Sequence, residues 1–357
     1  MDSSGRHPKG RGSASNPDCR YDSRGRVAVD DGWPGDCGEP PRLATTVAVD
    51  ASRTVVSRNR SPDVPFEQSL NPYRGCEHGC IYCFARPSHA YLGLSPGLDF
   101  ESRLFAKPEA ARLLDRELGR SGYRCRPLAL GTNTDPYQPV ERRWQVTRQV
   151  LQVLARRRHP VSIVTKSSLV ERDMDLLAPM AAQGLAQVSL SITTLDSALA
   201  RRLEPRTTAP ARRLQTIARL ADAGIPVGVL VAPVIPVLTD AELEAILRAC
   251  AGHRAGWAGY VLLRLPLEVK DLFREWLRNH EPLKADRVMA RVRDARGGRD
   301  NDPRFGSRMR GEGPYAKMIA QRFALARVRT GLDDRPPALR TDLFEEPESR
   351  DAQLALW

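Results

Sequence analysis

From about residue 66 onward, short apolar runs alternate with amphipathic stretches. Strands are predicted over 67–71, 127–131, 161–165, 186–192, 227–232 and 259–264, where branched and aliphatic residues cluster between turn signals. Helices are predicted between them over 108–120, 144–157, 174–183, 212–223 and 239–251, where apolar positions recur at helical spacing. Gly224-Ile225-Pro226 is a stop signal before the next strand. Thr239 and Glu242 stand at the spacing of a capping box. Six βα repeats imply a parallel sheet with helices on its outer face, and right-handed crossovers make six such strands a partial (βα)6 barrel. In folds of this kind function sits just after each apolar run, at the carboxyl ends of the strands.

The repeat stops near residue 267. Helices are predicted over 267–280 and 285–296, then a Gly- and Arg-rich segment, GGRDNDPRFGSRMRGEGPY, and a last helix over 316–329. Residues 1–45 are rich in Gly, Ser, Pro, Arg and Asp and read as a disordered tail, because so few large apolar side chains cannot offset the entropy of ordering. The expected organisation is a tail over 1–45, a core barrel over 46–266, a helical and basic C-terminal extension over 267–330 and a frayed tail over 331–357.

Composition narrows the class. The chain has 357 residues, 41% hydrophobic and 27% charged, which suits one large core or two modest ones. Neither a spanning apolar run nor the apolar stretch of a signal peptide is found, so a soluble, cytoplasmic protein with no membrane contact is expected. Seven cysteines, unevenly spaced with three inside 76–83, suit a metal or redox site better than a disulfide framework. Cys19 and Cys37 fall in the tail and read as unpaired exposed thiols. The net charge of +12 makes nucleic acid a candidate partner, although only six of the 55 basic residues are lysine, as a GC-rich genome would also produce. Residues 299–330 carry eight Arg or Lys against three acidic residues, with Phe305 and Tyr315 interleaved. A phosphate-tracking surface, a lid over the barrel mouth and a solvated linker all share that pattern.

The chemistry concentrates after the first strand, in Asn71-Pro72-Tyr73-Arg74-Gly75-Cys76-Glu77-His78-Gly79-Cys80-Ile81-Tyr82-Cys83-Phe84. Three cysteines spaced C-x3-C-x2-C in a Gly-containing loop can wrap one face of a 4Fe–4S cluster and leave one iron open. The alternative is structural zinc, which needs four ligands and would have to recruit His78 or His89.

The motif, on the exit of the first strand of a six-fold βα repeat, resembles the radical S-adenosylmethionine (radical SAM) superfamily. The wider stretch NPYRGCEHGCIYCFARPSHAYL, with LGTNTDPYQPVE after the second strand, is similar to the branch related to spore photoproduct lyase, often labelled "DNA repair photolyase". The resemblance covers roughly residues 45 to 330. It implies that Cys76, Cys80 and Cys83 ligate the cluster and that the open iron is chelated by S-adenosylmethionine (SAM), whose reductive cleavage yields a 5′-deoxyadenosyl radical. It implies an electron donor of flavodoxin or ferredoxin type. By the same resemblance Tyr82 lies beside the adenine, Thr132, Asn133, Thr134 and Asp135 bind the SAM amino group, Lys166 meets its carboxylate, Ser191 and Thr193 meet the ribose, and residues 231–236 form the adenine wall. Asp135 is equally suited to capping the turn before Pro136. Arg264 and Glu268, near the end of the sixth strand, are either substrate contacts or a surface salt bridge.

The match departs from the lyase at one point. That enzyme uses a cysteine outside the cluster as hydrogen-atom donor, on the segment after the second strand, where this chain has Gly131-Thr132-Asn133-Thr134. Cys125 lies before that strand and Cys250 inside a predicted helix, which suits a buried thiol. The expected function is therefore hydrogen abstraction from an unidentified substrate, with nucleic acid a candidate. The rival is an iron–sulfur protein that binds nucleic acid or senses redox state without turnover.

Overall fold

The computed structural model describes residues 8–22 and 43–345. Its strands are β1 (Thr46–Val49), β2 (Ser57–Arg58), β3 (Gln68–Leu70), β4 (Tyr73–Arg74), β5 (Arg103–Ala106), β6 (Leu128–Leu130), β7 (Val161–Thr165), β8 (Ala186–Ser191), β9 (Val227–Val234) and β10 (Trp257–Leu262). One sheet runs β10-β9-β8-β7-β6-β3-β2, and from β3 to β10 every pairing is parallel. The six predicted strands are these six, in sequential order. Among the described residues β3 and β10 do not pair with each other, so the barrel is partial and open.

Burial on both faces explains the strand sequences. All six residues of β8 are buried, as expected at the centre of a sheet covered by helices. The crossover helices Ala110–Leu118, Val146–Arg156, Met174–Ala182, Pro210–Asp222 and Leu243–Gly252 each present one apolar stripe to that sheet. In Val146–Arg156 the stripe is Val146, Val150, Leu151, Val153 and Leu154. At about 1.5–3 kcal/mol per fully buried aliphatic side chain, such stripes supply the main driving force for closing each βα unit.

Several features differ from the sequence expectation. The Thr239–Glu242 capping box does not form: the helix begins at Leu243, Thr239 Oγ1 takes the Ile235 N–H at 2.8 Å, and the Glu242 carboxylate takes the Leu195 N–H at 2.7 Å. A second sheet, β1-β5-β4, was not predicted, because its strands are short and β1 is largely exposed. Within the stretch expected to fray after 331, Leu332 is buried, Asp333 N bonds Gly256 O at 2.9 Å, and Phe344 packs on Tyr123 and His159. In the N-terminal stretch Cys19 is not an exposed thiol: it is buried and donates to Ala90 O at 3.3 Å. Cys37 lies outside the described residues.

Residues 8–22 have no regular element, yet they are fastened to the cysteine loop. Gly12 and Ser13 donate their N–H groups to Glu101 at 2.8 Å each, and Arg11 Nη1 reaches Glu101 O at 2.6 Å. Gly12 must be glycine, since a Cβ would lie 1.7 Å from Gly79 O. Glu101 in turn pairs with Arg86 at 2.5 Å, and neither side chain is exposed. The other Arg86 donors reach Cys80 O at 2.9 Å, Gly79 O at 3.1 Å, Pro96 O at 3.1 Å and Gly97 O at 2.9 Å. One buried arginine thus satisfies the carbonyls of a loop that has no ladder of its own.

Removing one partner of such a pair leaves the other charge buried and alone. Arg86→Met is expected to cost about 3–5 kcal/mol in urea unfolding, and Arg86→Met with Glu101→Gln to cost less than the sum of the two singles. A single-variant loss below about 1 kcal/mol would show that the pair does not hold the loop.

Candidate active site at the carboxyl end of the sheet

The cysteine loop leaves β3 and folds back over the carboxyl ends of the strands. Its backbone is held by Cys76 N to Phe100 O at 2.9 Å and Ile81 N to Leu203 O at 3.1 Å. Gln138 clamps it from the other side, accepting the Glu77 N–H at 2.8 Å and donating to Gly75 O at 3.2 Å. Cys76, Cys80 and Cys83 are free of disulfides and line a single cavity of about 260 Å³. The same wall carries Tyr82, Gly131, Thr132, Asn133, Thr134 and Asp135, then Lys166, Ser191, Ala232 and Pro233. Strand ends β3, β6, β7, β8, β9 and β10 therefore converge on one hollow.

Each predicted residue has a definite place. Asn133 N and Thr134 N donate to Asn71 Oδ1 at 3.0 and 3.3 Å, and Thr134 Oγ1 donates to Tyr73 O at 3.0 Å. Asp135 caps its turn by accepting the Tyr137 N–H at 2.8 Å, and it also faces the cavity. It accepts from Thr165 Oγ1 at 2.7 Å and from Lys166 N at 2.8 Å, with His78 Nδ1 at 3.4 Å. Burial raises its carboxyl, but His78 and these hydrogen bonds outweigh burial and hold it below the usual range. Lys166 Nζ donates to Ser191 Oγ at 2.5 Å and Ala232 O at 3.2 Å, and sits 5.9 Å from the Tyr82 ring centre. Thr193 is fully buried and not on the cavity wall; its hydroxyl lies 3.2 Å from that of Tyr82.

Glu204 and Arg213 were not singled out from the sequence. Glu204 follows a helix, Ser197–Leu203, that was also missed, although Asp196 caps it by accepting from Ala198 N at 2.7 Å. An aspartate before such a run is an N-cap signal that could have revealed the helix. Glu204 accepts from Tyr82, Thr193 and Arg213, and Lys166 Nζ is 3.8 Å away. Burial alone raises its carboxyl, but Arg213 and Lys166 overcome this and bring it down to about 2. The floor of the cavity is thus a buried, fully paired ionic network that fixes both Tyr82 and Lys166.

Of the two residues after β10, Arg264 lines the cavity while Glu268 pairs with Arg20 at 2.9 Å on the outside. The two histidines near the cysteines are engaged elsewhere, His78 by Asp135 and His89 Nε2 with Arg103 O at 2.9 Å. Among the described residues no group of three or more His, Cys, Asp or Glu is arranged to hold a single metal ion. Burial pushes all three thiols up, most strongly Cys76 and Cys80, with negative neighbours adding to it for those two. A soft, multiply charged cationic group is what such a thiol set needs before it can ionise. Cys250 is fully buried in its helix, and Cys125 is away from the cavity wall.

Comparison with known proteins decides the family. The profile of the Radical SAM superfamily matches residues 70–250, from β3 into the helix before β10. The chain belongs to the radical SAM superfamily. An uncharacterized protein of Mycobacterium tuberculosis is 36% identical over 286 residues, 78% of this chain and 79% of the relative. An uncharacterized protein of Methanocaldococcus jannaschii is 28% identical over 173 residues, 48% of this chain and 62% of the relative. Among solved structures a tyrosine-to-phenylalanine mutant of spore photoproduct lyase superposes with a TM-score of 0.54 at 15% identity, covering 80% of each chain. That likeness is one of fold. Members of the superfamily are enzymes, and radical SAM chemistry is the activity that the family match supports.

The Glu204 network carries a pH signature. A carboxyl lowered in the folded state from 4.5 to about 2 stabilises above its unfolded value and loses that contribution as pH falls through the folded one. Urea unfolding at stepped pH should show the wild type losing up to about 3 kcal/mol more than Glu204→Gln between about pH 5 and pH 2. Parallel curves for the two proteins would remove Glu204 from this role.

Proposed function

We propose that this chain is a radical SAM enzyme in which Cys76, Cys80 and Cys83 hold a 4Fe–4S cluster and the strand ends hold SAM against it. The observation that carries the reading is the convergence of the three thiols and the polar ends of β6, β7 and β8 on one cavity. When bound, the cluster supplies the electron that cleaves the SAM sulfonium to a 5′-deoxyadenosyl radical, which abstracts hydrogen from an organic substrate.

The protein's own part is positioning and exclusion of water. Three thiolates leave one coordination position for a ligand that is not protein. The Thr132–Asp135 turn, with its carboxylate held ionised, suits the SAM ammonium. Lys166 supplies the one lysine of the wall for the SAM carboxylate, and Ser191 beside it is within reach of the ribose. Ala232 and Pro233 give an apolar wall for the adenine. Tyr82, pinned by Glu204 and Thr193, is set to pack against the bound nucleoside. Thr193 acts through Tyr82 in this reading. An external electron donor of flavodoxin or ferredoxin type would reduce the centre, and nucleic acid is the substrate class that the net charge of +12 favours.

Anaerobic reconstitution of the full chain should give about four irons and four sulfides per chain, and Cys80→Ala should lose most of both. Dithionite and SAM should then yield 5′-deoxyadenosine in the wild type only. A cluster content unchanged in Cys80→Ala refutes the ligand set. A loaded wild type that binds nucleic acid yet gives no 5′-deoxyadenosine favours an iron–sulfur binding or redox-sensing protein without turnover.

A further inference from the structure

At the mouth of the cavity stands a cation that the SAM contacts leave unused. Arg264, two residues beyond β10, is half-buried in the wall, with its guanidinium 5.4 Å from the ring centre of Phe84. Its Nη1 has the thioether of Met309 at 3.5 Å, a weak acceptor, and its buried Nε has no acceptor. Two arginines beside it are engaged by other partners. Arg308 pairs with Asp63 at 2.5 Å and donates to Ser61 at 2.5 Å. Arg296, itself buried, donates to Ser307 O, Arg308 O, Leu262 O and Leu263 O at 2.7–3.0 Å. That staple joins the end of β10 to the turn that carries Met309 and Arg308, so the frame around Arg264 is built and not loose.

The charges at this corner do not balance. Arg264, Arg296 and Arg308 face Asp63 and Asp302, and among the described residues no carboxylate is within ion-pair reach of Arg264. Burial and the neighbouring Arg308 both pull Arg264 below its usual value, with Asp63 only partly opposing them. A buried donor without an acceptor carries a desolvation cost that a bound anion offsets. The planar fork of arginine matches an oxyanion, and the chain's net charge of +12 favours a multiply charged one such as phosphate over a monoanion.

We propose that Arg264 is the substrate anchor of this enzyme, receiving a phosphate group of the substrate at the cavity mouth while Phe84 packs on the adjoining organic part. The inference rests on the assignment of this cavity to SAM and substrate. It gives the two cations of the wall separate roles, since Lys166 follows β7 and Arg264 follows β10, three places along in the strand order β10-β9-β8-β7.

Equilibrium binding to the reconstituted full chain tests this without any SAM cleavage, so its failure is separable from failure of the radical reading. The probes are uridine 5′-monophosphate, uridine as the phosphate-free control, a single-stranded oligouridylate, and SAM. Arg264→Gln should weaken the phosphate-bearing probes by about tenfold to a hundredfold, leave uridine unchanged, and leave SAM within about twofold. Arg264→Lys should recover part of the loss and serves if the glutamine variant does not fold. Tighter binding of the oligonucleotide, with a salt slope reduced by about one in the variant, identifies a strand as the phosphate source. Equal binding of the mononucleotide identifies a small phosphate ester. The proposal is overturned if neither phosphate probe binds the wild type, if both bind wild type and variants alike, or if SAM affinity falls as far as phosphate affinity.

Discussion

The fully buried guanidinium of Arg86 is the contact on which the site depends. A loop that turns three cysteines toward one cavity cannot also run in a ladder, so its carbonyls need partners from elsewhere. Arg86 provides them to Gly79 and Cys80 inside the loop and to Pro96 and Gly97 beside it. Its charge would be prohibitive there without Glu101, and the spare lone pairs of Glu101 are taken by the N–H groups of Gly12 and Ser13. The N-terminal stretch is therefore part of the hydrogen bonding that holds the cysteine loop. Its polar, glycine-containing composition is what close backbone approach at Gly79 demands.

A second network does for the cavity floor what Arg86 does for its rim. Parallel strands end in carbonyls and side chains at one edge, and here that edge is charged: Asp135, Lys166, Glu204 and Arg213 lie within a few residues of the ends of β6, β7 and β8 or directly beneath them. Glu204 is the hub, because it touches the hydroxyl of Tyr82 from the loop and the side chain of Arg213 from a crossover helix. Arg213 also reaches Ser191 O at 2.8 Å, which ties the helix to the end of β8. Fixed dipoles and charges at a low-dielectric site act more strongly than the same groups in water, and they need no reorganisation as charge develops beside them.

The sheet was legible because its strands are buried on both faces and so read as apolar runs in parallel-sheet spacing. β7 lies over 161–165 as expected, and β8 differs by one residue. The cysteine cluster was legible because three soft ligands within eight residues, in a chain without a disulfide framework, point to metal or redox chemistry. What escaped was long-range polar pairing. Nothing local marks Arg86 as the partner of Glu101 fifteen positions on, or Glu204 as the partner of Tyr82. Thr239 and Glu242 show the opposite failure. Their spacing satisfied a local rule, but Ile235 N and Leu195 N lacked acceptors and claimed both side chains. Buried backbone groups outranked the local motif, as their desolvation cost requires.

The C-terminal extension completes the site by the same logic. A six-stranded open barrel leaves the outer edge of its last strand without a partner strand; among the described residues Asp333 bridges that edge at Trp257 alone, and β10 ends at the cavity mouth. The helix Gly313–Arg329 covers β10 by packing Phe323 on Tyr260 at 4.7 Å between ring centres. Arg296 then satisfies the carbonyls of Leu262 and Leu263, where the strand has run out of partners. The Gly- and Arg-rich composition of 297–313 follows from that requirement. Glycines at positive φ let the chain turn tightly at Gly306 and Gly311, and Arg304 and Arg308 reach back to Asp302 and Asp63. Arg304 and Arg308 thereby carry their charges in ion pairs, while Arg299 and Arg310 stay exposed. The charge left without a partner at the cavity is Arg264, and a basic segment matters for recognition only through the cations that the fold leaves unpaired.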